Sequence, residues 1–168
     1  RMKVWRVFKN LLMMCIGSIR NSFSLDFWKV LKGSYMESQK ERYGLVYKSR
    51  PPYEVLYTNW LSYEEMMRLK SVEEMVEVYY NSGQFSYCLR KLEEEYASPF
   101  VLYQELGRYY ENHELHLMSH SRITRYEILL GFVREKHKER ERLYRELLTF
   151  DLYFRRERQK PTGICGRA

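Results

Sequence analysis

The sequence predicts a mainly α fold, a compact bundle of about six helices preceded by a short N-terminal segment that is irregular or contains a hairpin. From residue 62 onward, apolar side chains recur every three or four residues, as in amphipathic helices. Residues 45–59 contain two short runs rich in Val, Leu and Tyr that are typical of strands. At 168 residues the chain is long enough to bury a core without disulfides or metals.

The first 22 residues favour an amphipathic helix rather than a signal peptide. Basic residues precede an apolar run, as in exported proteins, but no small-residue cleavage site follows. Because the chain opens on arginine, we expect it to be a piece of a longer polypeptide. The apolar side chains recur at helical spacing: Val4, Phe8, Leu11, Leu12, Cys15 and Ile19.

The chain is expected to divide at its central prolines. Residues 24–34 fit either a short strand or a helical turn, and residues 36–45 predict a short helix that ends at Gly44. The runs "LVYKS" and "YEVLYTN" flank "RPP" and can pair as a small edge hairpin. We therefore expect an N-terminal piece over residues 1–50, a helical domain over 51–158 and a flexible tail over 159–168.

Serine residues indicate where the first two helices of the bundle begin. Ser62 with Glu65, and Ser71 with Glu74, each match a capping box, in which the hydroxyl and the carboxylate each accept a hydrogen bond from an orphan amide. The sequence "NSG" at 81–83 is expected to end the second helix.

The remaining helices are predicted from their apolar faces. Ser98 is expected to cap the fourth helix, with Pro99 at its first position, where a missing amide costs nothing. The predicted buried faces are Val72, Met75, Val76, Tyr79 and Tyr80 on the second helix; Phe85, Cys88, Leu89, Leu92 and Tyr96 on the third; Leu102, Leu106 and Tyr109 on the fourth; Ile123, Tyr126, Leu130 and Val133 on the fifth; and Leu143, Leu147, Phe150 and Phe154 on the sixth.

Cysteine usage and hydropathy indicate a cytoplasmic protein. The three cysteines are scattered and form no CxxC or CxxxCxxC spacing, which argues for reduced thiols. No apolar run reaches the length of about 18 residues that a membrane-spanning helix needs.

The net charge of +7 is concentrated near the C-terminus. Residues 134–160 contain ten Lys or Arg and six Asp or Glu, with the signs interleaved. One interpretation is a solvated helix whose charged side chains pair three or four residues apart. The other is a phosphate-binding face for RNA. Its candidate residues are Lys136, Lys138, Arg140, Arg142 and Arg145.

The segment "NHELHLMSH" raises the possibility of a metal site. His113, His116 and His120 would share one face of an unbroken helix and hold a metal together. The spacing is not that of HExxH proteases. Ser119 and Ser121 are typical helix-start residues, so the alternative is three polar histidines at a junction between two helices.

Aromatic side chains follow the prolines. Tyr53, Glu54, Tyr57 and Trp60 lie in a segment that starts extended, and we expect them to form a shallow contact surface. The alternative is that Val55, Tyr57 and Trp60 cover the base of the bundle.

No motif indicates catalysis by this chain. The glycines form no phosphate-binding loop, and no GxSxG nucleophile occurs. Adjacent glutamates on a helix point about 100° apart and so do not share a proton.

Several long motifs do resemble a known family. The runs "DFWKVLKGS", "YGLVY", "PPYEVLYTNWLSY", "VEEMVEVYYNSGQF" and "LLTFDLY" lie within residues 26–154. Together they resemble the C-terminal region of cobalamin-binding radical S-adenosylmethionine proteins of anaerobic bacteria. The resemblance implies that "WKVLKGS" ends a catalytic barrel and that a helical domain of unassigned function follows. Residues 1–22 depart from the family pattern.

The departures define what this chain is expected to do. The family's CxxxCxxC loop for an iron–sulfur cluster and its DxHxxG cobalamin motif are both missing from the sequence. The resemblance therefore implies that the cluster, S-adenosylmethionine and cobalamin are bound by the preceding barrel of the full-length protein. This chain is expected to be an accessory domain, without catalysis of its own, that shapes substrate access or docks a partner. The alternative is a stand-alone helical module that binds RNA or protein through its basic C-terminal helix.

Overall fold

A computed structural model describes residues 29–158 and confirms the mainly α class with a hairpin in the N-terminal segment. The helix predicted over residues 1–22 and the tail at 159–168 lie outside the described residues. Within them the elements are α1 (Tyr35–Ser38), α2 (Lys40–Tyr43), β1 (Val46–Tyr47), β2 (Val55–Tyr57), α3 (Tyr63–Met75), α4 (Ser86–Glu93), α5 (Pro99–Asn112), α6 (Arg122–Lys136) and α7 (Glu141–Arg158).

The hairpin pairs β1 and β2 antiparallel, as the two Val- and Tyr-containing runs predict. The cis Pro51–Pro52 peptide bond lies in the connection. Gly44 follows α2 in the left-handed conformation, with φ at +53°, which confirms the predicted helix end. An isolated antiparallel bridge between Lys29 and Glu54 adds a third short segment beside the hairpin.

Helix α3 begins where predicted but does not break at Ser71. The capping box at Ser62 is present, since its Oγ accepts from the Glu65 amide at 3.3 Å and its own amide donates to Glu65 Oε2 at 2.8 Å. The capping box predicted at Ser71 and Glu74 is wrong, because Ser71 lies within α3. Its side chain faces Gly107 of α5. A Cβ atom at Gly107 would lie 2.4 Å from Ser71 Oγ, so a close approach of two helices explains this serine.

Helix α5 begins at the predicted residue. The cap of α4 comes from a residue distant in sequence, so the neighbouring sequence does not predict it. Ser98 accepts a hydrogen bond from the Val101 amide at 3.4 Å, with Pro99 at the first position. Phe85, at the start of α4, has no capping side chain. Instead, Asp151 of α7 accepts hydrogen bonds from the amides of Tyr87 and Cys88, each at 3.0 Å.

The core lies where α3 packs on α5 and where α7 packs on α4 and α6. The predicted faces of the second to fifth helices largely point into it, with Tyr80, Tyr96, Tyr109 and Leu130 partly buried and Ile123 exposed. Of the predicted side chains, the following are fully buried: Val72, Met75, Val76, Tyr79, Phe85, Cys88, Leu89, Leu92, Leu102, Leu106, Tyr126 and Val133.

The face predicted for the last helix is wrong at three of its four residues, since only Leu147 packs, partly buried, against the core. Leu143, Phe150 and Phe154 are 40–48% exposed, while Tyr144, Leu148 and Asp151 are buried. Two apolar stripes run side by side on α7, and hydropathy alone does not choose between them. The stripe that carries Asp151 faces inward because this carboxylate caps α4. No helix among residues 29–158 is long and apolar enough to cross a membrane.

Candidate functional site

The predicted contact segment lies on the hairpin and the turn that follows it. Glu54 bridges two lysines: its Oε2 lies 2.7 Å from Lys48 Nζ and 3.1 Å from Lys70 Nζ. Hydrogen bonds from Lys48 and then Lys70 lower the pKa of the Glu54 carboxyl despite partial burial. The carboxylate therefore fastens the hairpin to α3.

The aromatic residues of the segment separate into exposed and supporting groups. Tyr57 and Trp60 are each 44% exposed, and the Trp60 ring packs on Tyr43 with 5.6 Å between centroids. Tyr53 has a left-handed φ of +54°, and Lys32 Nζ lies 5.0 Å from its ring centroid. Val55 is buried, as the alternative expected, whereas Tyr57 and Trp60 are only partly covered.

The segment that precedes α1 joins the same surface. The Val30 amide donates to the Tyr53 carbonyl at 3.0 Å, and Val30 is only 1% exposed. Leu31 is strongly exposed beside it, and Tyr63, the first residue of α3, is half-exposed. The chain thus enters the described fold at the hairpin. We call the exposed apolar side chains of the entering segment, the hairpin, the turn after it and the start of α3 the entry surface: Leu31, Tyr57, Trp60 and Tyr63.

The basic residues near the C-terminus are mostly ion-paired. Pairs with an adjacent residue, with a residue four positions away or with another part of the fold leave few free cations among the described residues on this side, which favours a solvated, internally paired face. Phosphate or RNA binding by this face stays a prediction. The pairs are Lys136 with Glu105 and Glu135, Arg140 with Glu95, Arg142 with Glu146, and Arg145 with Glu141. No ion pair joins Lys138 within the described residues.

The three histidines lie at the junction between α5 and α6, because α5 ends at Asn112. His113 follows that end, with Nε2 3.1 Å from Glu135 Oε2. His116 lies in a 3-10 turn, and His120 Nε2 lies 2.6 Å from the Leu115 carbonyl oxygen. Among residues 29–154, no three or more His, Cys, Asp or Glu side chains are grouped to hold a metal.

A polar network that the sequence does not reveal lies where α6 meets α7. Glu95 Oε2 is 2.9 Å from His137 Nδ1, and His137 Nε2 is 2.9 Å from the Tyr96 hydroxyl. The other Glu95 oxygen accepts from Arg140, at 2.7 Å, and from the Tyr144 hydroxyl. More than 40 residues separate these partners along the chain, so no spacing motif predicts them.

The electrostatics of this network favour a structural role. Burial acts to raise the pKa of Glu95, but bonds from Tyr144 and Arg140 and the charge of His137 lower it overall. Burial, with the charges of Glu105 and Glu95, raises the pKa of Tyr96 to about 12. A carboxylate–imidazole–phenol chain can transfer protons. Here both imidazole nitrogens of His137 already have protein partners, Glu95 and Tyr96. The network therefore fastens the connection after α4 to the start of α7.

Comparison with known proteins identifies a family of unassigned function. Residues 41–166 match a family described as "Protein of unknown function (DUF4080)". No curated protein and no solved structure matches the chain.

Proposed function

We propose that this chain, which belongs to the DUF4080 family of proteins of unknown function, is the accessory helical domain of a cobalamin-dependent radical S-adenosylmethionine protein. It docks on the preceding barrel and shapes substrate access, without catalysis of its own. The iron–sulfur cluster, S-adenosylmethionine and cobalamin belong to that barrel, in keeping with the resemblance of "WKVLKGS" to a barrel end.

The observation that carries the proposal is how the chain enters the fold. The hydrogen bond from the Val30 amide to Tyr53, and the burial of Val30, fasten residues 29–34 to the hairpin. If "WKVLKGS" ends a barrel, as the resemblance implies, that barrel lies close to the hairpin rather than on a free linker.

The chemistry of the entry surface suits a protein contact. Leu31, Tyr57, Trp60 and Tyr63 are between 44% and 71% exposed and lie within the entering segment, the hairpin, the turn and the start of α3. Aromatic residues are enriched at protein interfaces because they combine apolar area with polar edges. Single exposed apolar residues are ordinary, but such a group beside the chain entry supports docking.

Replacement of Trp60 by Ala in the full-length protein tests the proposal. We expect the rate of S-adenosylmethionine cleavage to fall about tenfold, the size of effect seen for residues that position a contact. The domain should remain folded, because Trp60 is 44% exposed and packs at the edge of the core, on the partly buried Tyr43. Trp60→Phe should restore part of the rate.

Tyr153→Ala is the matched control, since Tyr153 is an exposed aromatic residue on α7, away from the hairpin. It should leave the rate unchanged. The proposal fails if Trp60→Ala lowers thermal stability while the folded fraction keeps normal specific activity.

A further inference from the structure

A pocket of about 240 Å³ lies between α4 and the helical turn that extends α3. This extension, Val76–Asn81, has π-helical hydrogen bonding. Such turns accommodate an extra residue and are frequent at functional sites. The walls include Tyr79 and Tyr80 from the π turn, Gly83 from the following turn, and Leu89, Arg90 and Glu93 from α4.

One side of the pocket is apolar and rigid. Tyr79 is fully buried, with its hydroxyl oxygen 2.8 Å from that of Tyr110, and Leu89 is 5% exposed. Gly83 has a φ of +60°, and no atom lies within 4 Å of where a Cβ would be. Gly83 thus leaves the mouth of the pocket open. The Tyr79 side chain is held in place by its hydrogen bond to Tyr110.

The other side carries two charged groups that do not pair with each other. Arg90 and Glu93 are three residues apart on α4, yet no salt bridge joins them within the described chain. The next pair along the same helix, Lys91 and Glu94, is joined at 2.6 Å. Residues three apart on this helix can therefore form an ion pair, and Arg90 and Glu93 do not form one within the described residues.

Glu93 is the more buried of the two groups. Its Oε1 accepts a hydrogen bond from the Tyr103 hydroxyl at 3.3 Å, and no described side chain or amide donates to Oε2. Burial raises the pKa of Glu93, and the Tyr103 hydrogen bond opposes that rise only in part. A half-buried carboxylate beside an apolar wall is stabilised by a cationic donor from a ligand.

We propose that this pocket binds a small zwitterion with an apolar or aromatic side chain, of the free α-amino acid class. Glu93 receives the ammonium group, Arg90 receives the carboxylate, and the side chain packs on Leu89 and Tyr80. The pocket is smaller than the roughly 300–1,000 Å³ of sites for drug-sized ligands, which fits a ligand of this size.

Calorimetric titration of the 168-residue chain with L-phenylalanine tests the site. We expect saturable binding. N-acetyl-L-phenylalanine and L-phenylalaninamide each lack one charge and should bind about tenfold more weakly or worse, the effect of losing one charge-assisted hydrogen bond. Glu93→Gln and Arg90→Gln should have effects of the same size.

Two further variants keep the test decisive. Glu94→Gln changes the neighbouring carboxylate, which is not a wall of the pocket, and should bind L-phenylalanine normally. Ser86→Leu places a bulky side chain at the rim without altering either charge, and should abolish binding while α4 remains folded. The proposal is overturned if the zwitterion does not bind at millimolar concentration, if the singly charged analogues bind equally well, or if Glu93→Gln and Arg90→Gln leave affinity unchanged.

Discussion

Asp151 provides the sharpest test of how the bundle is held together, because one side chain of α7 caps α4. In Asp151→Ala, the amides of Tyr87 and Cys88 lose acceptors that lie 3.0 Å away in a site where Asp151 is only 4% exposed. An unsatisfied buried donor costs about 1–3 kcal/mol, and loss of negative charge at a helix start adds about 0.3–1 kcal/mol. Burial raises the pKa of Asp151, so removal of a poorly solvated carboxylate offsets part of that cost. We expect a net destabilisation of about 2–4 kcal/mol.

Urea unfolding followed by circular dichroism measures this effect. With a slope near 2 kcal/mol per molar urea, the midpoint should fall by about 1–2 M at constant slope. Glu146→Ala is the control, because Glu146 is an exposed carboxylate of the same helix that pairs only with Arg142 in the described structure, and its loss should cost at most about 0.5 kcal/mol. A midpoint for Asp151→Ala within about 0.3 M of wild type would refute the trans-helix cap.

Two further predictions concern other contacts. The folded-state pKa of Glu95 is lowered, so its contribution to stability is fully present above the unfolded-state value and is lost as the pH falls below about 4.5. In Glu95→Gln, the free energy of unfolding should therefore be lower than in wild type at pH 7 and should change less between pH 6 and pH 3. Urea titrations at each pH measure both effects. A pH dependence equal to that of wild type would contradict the network. Gly107→Ala should lower the midpoint, although alanine favours helices, because the new Cβ meets Ser71 Oγ at 2.4 Å. Adding Ser71→Ala should recover part of the lost stability. If the effects of the two substitutions on the free energy of unfolding are simply additive, the close approach of α3 and α5 is contradicted.

Local signals in the sequence predict most of the helices correctly. Ser62 with Glu65, and Ser98 with Pro99, define helix starts because their hydrogen bonds are made within the first turn. Gly44 ends α2 because glycine adopts the left-handed conformation without strain. These are short-range effects, and the neighbouring residues contain the information.

Features that depend on contacts between distant residues are not predictable in this way. Ser71 has the pattern of a cap, but its partner is Gly107, 36 positions along the chain. The orientation of α7 depends on Asp151 reaching the amides of Tyr87 and Cys88, and periodicity alone favours the wrong stripe. Both errors arise where tertiary contact overrides a local pattern.

The candidate sites show the same division. Tyr57 and Trp60 are exposed, and the contact surface predicted for them from composition and from the prolines before them stays a prediction. The network of Glu95 and His137 and the pocket beside Glu93 join residues from separate helices, so neither has a spacing motif.

The central claim is that this chain serves a cofactor-bearing barrel within one polypeptide. Its most direct test is the intact mass of the native polypeptide purified from its source, together with its iron and cobalt content. The account predicts a mass several times the 20.7 kDa of this chain, with an iron–sulfur cluster and cobalamin bound. A native polypeptide of about 20.7 kDa, folded and without either cofactor, would contradict it.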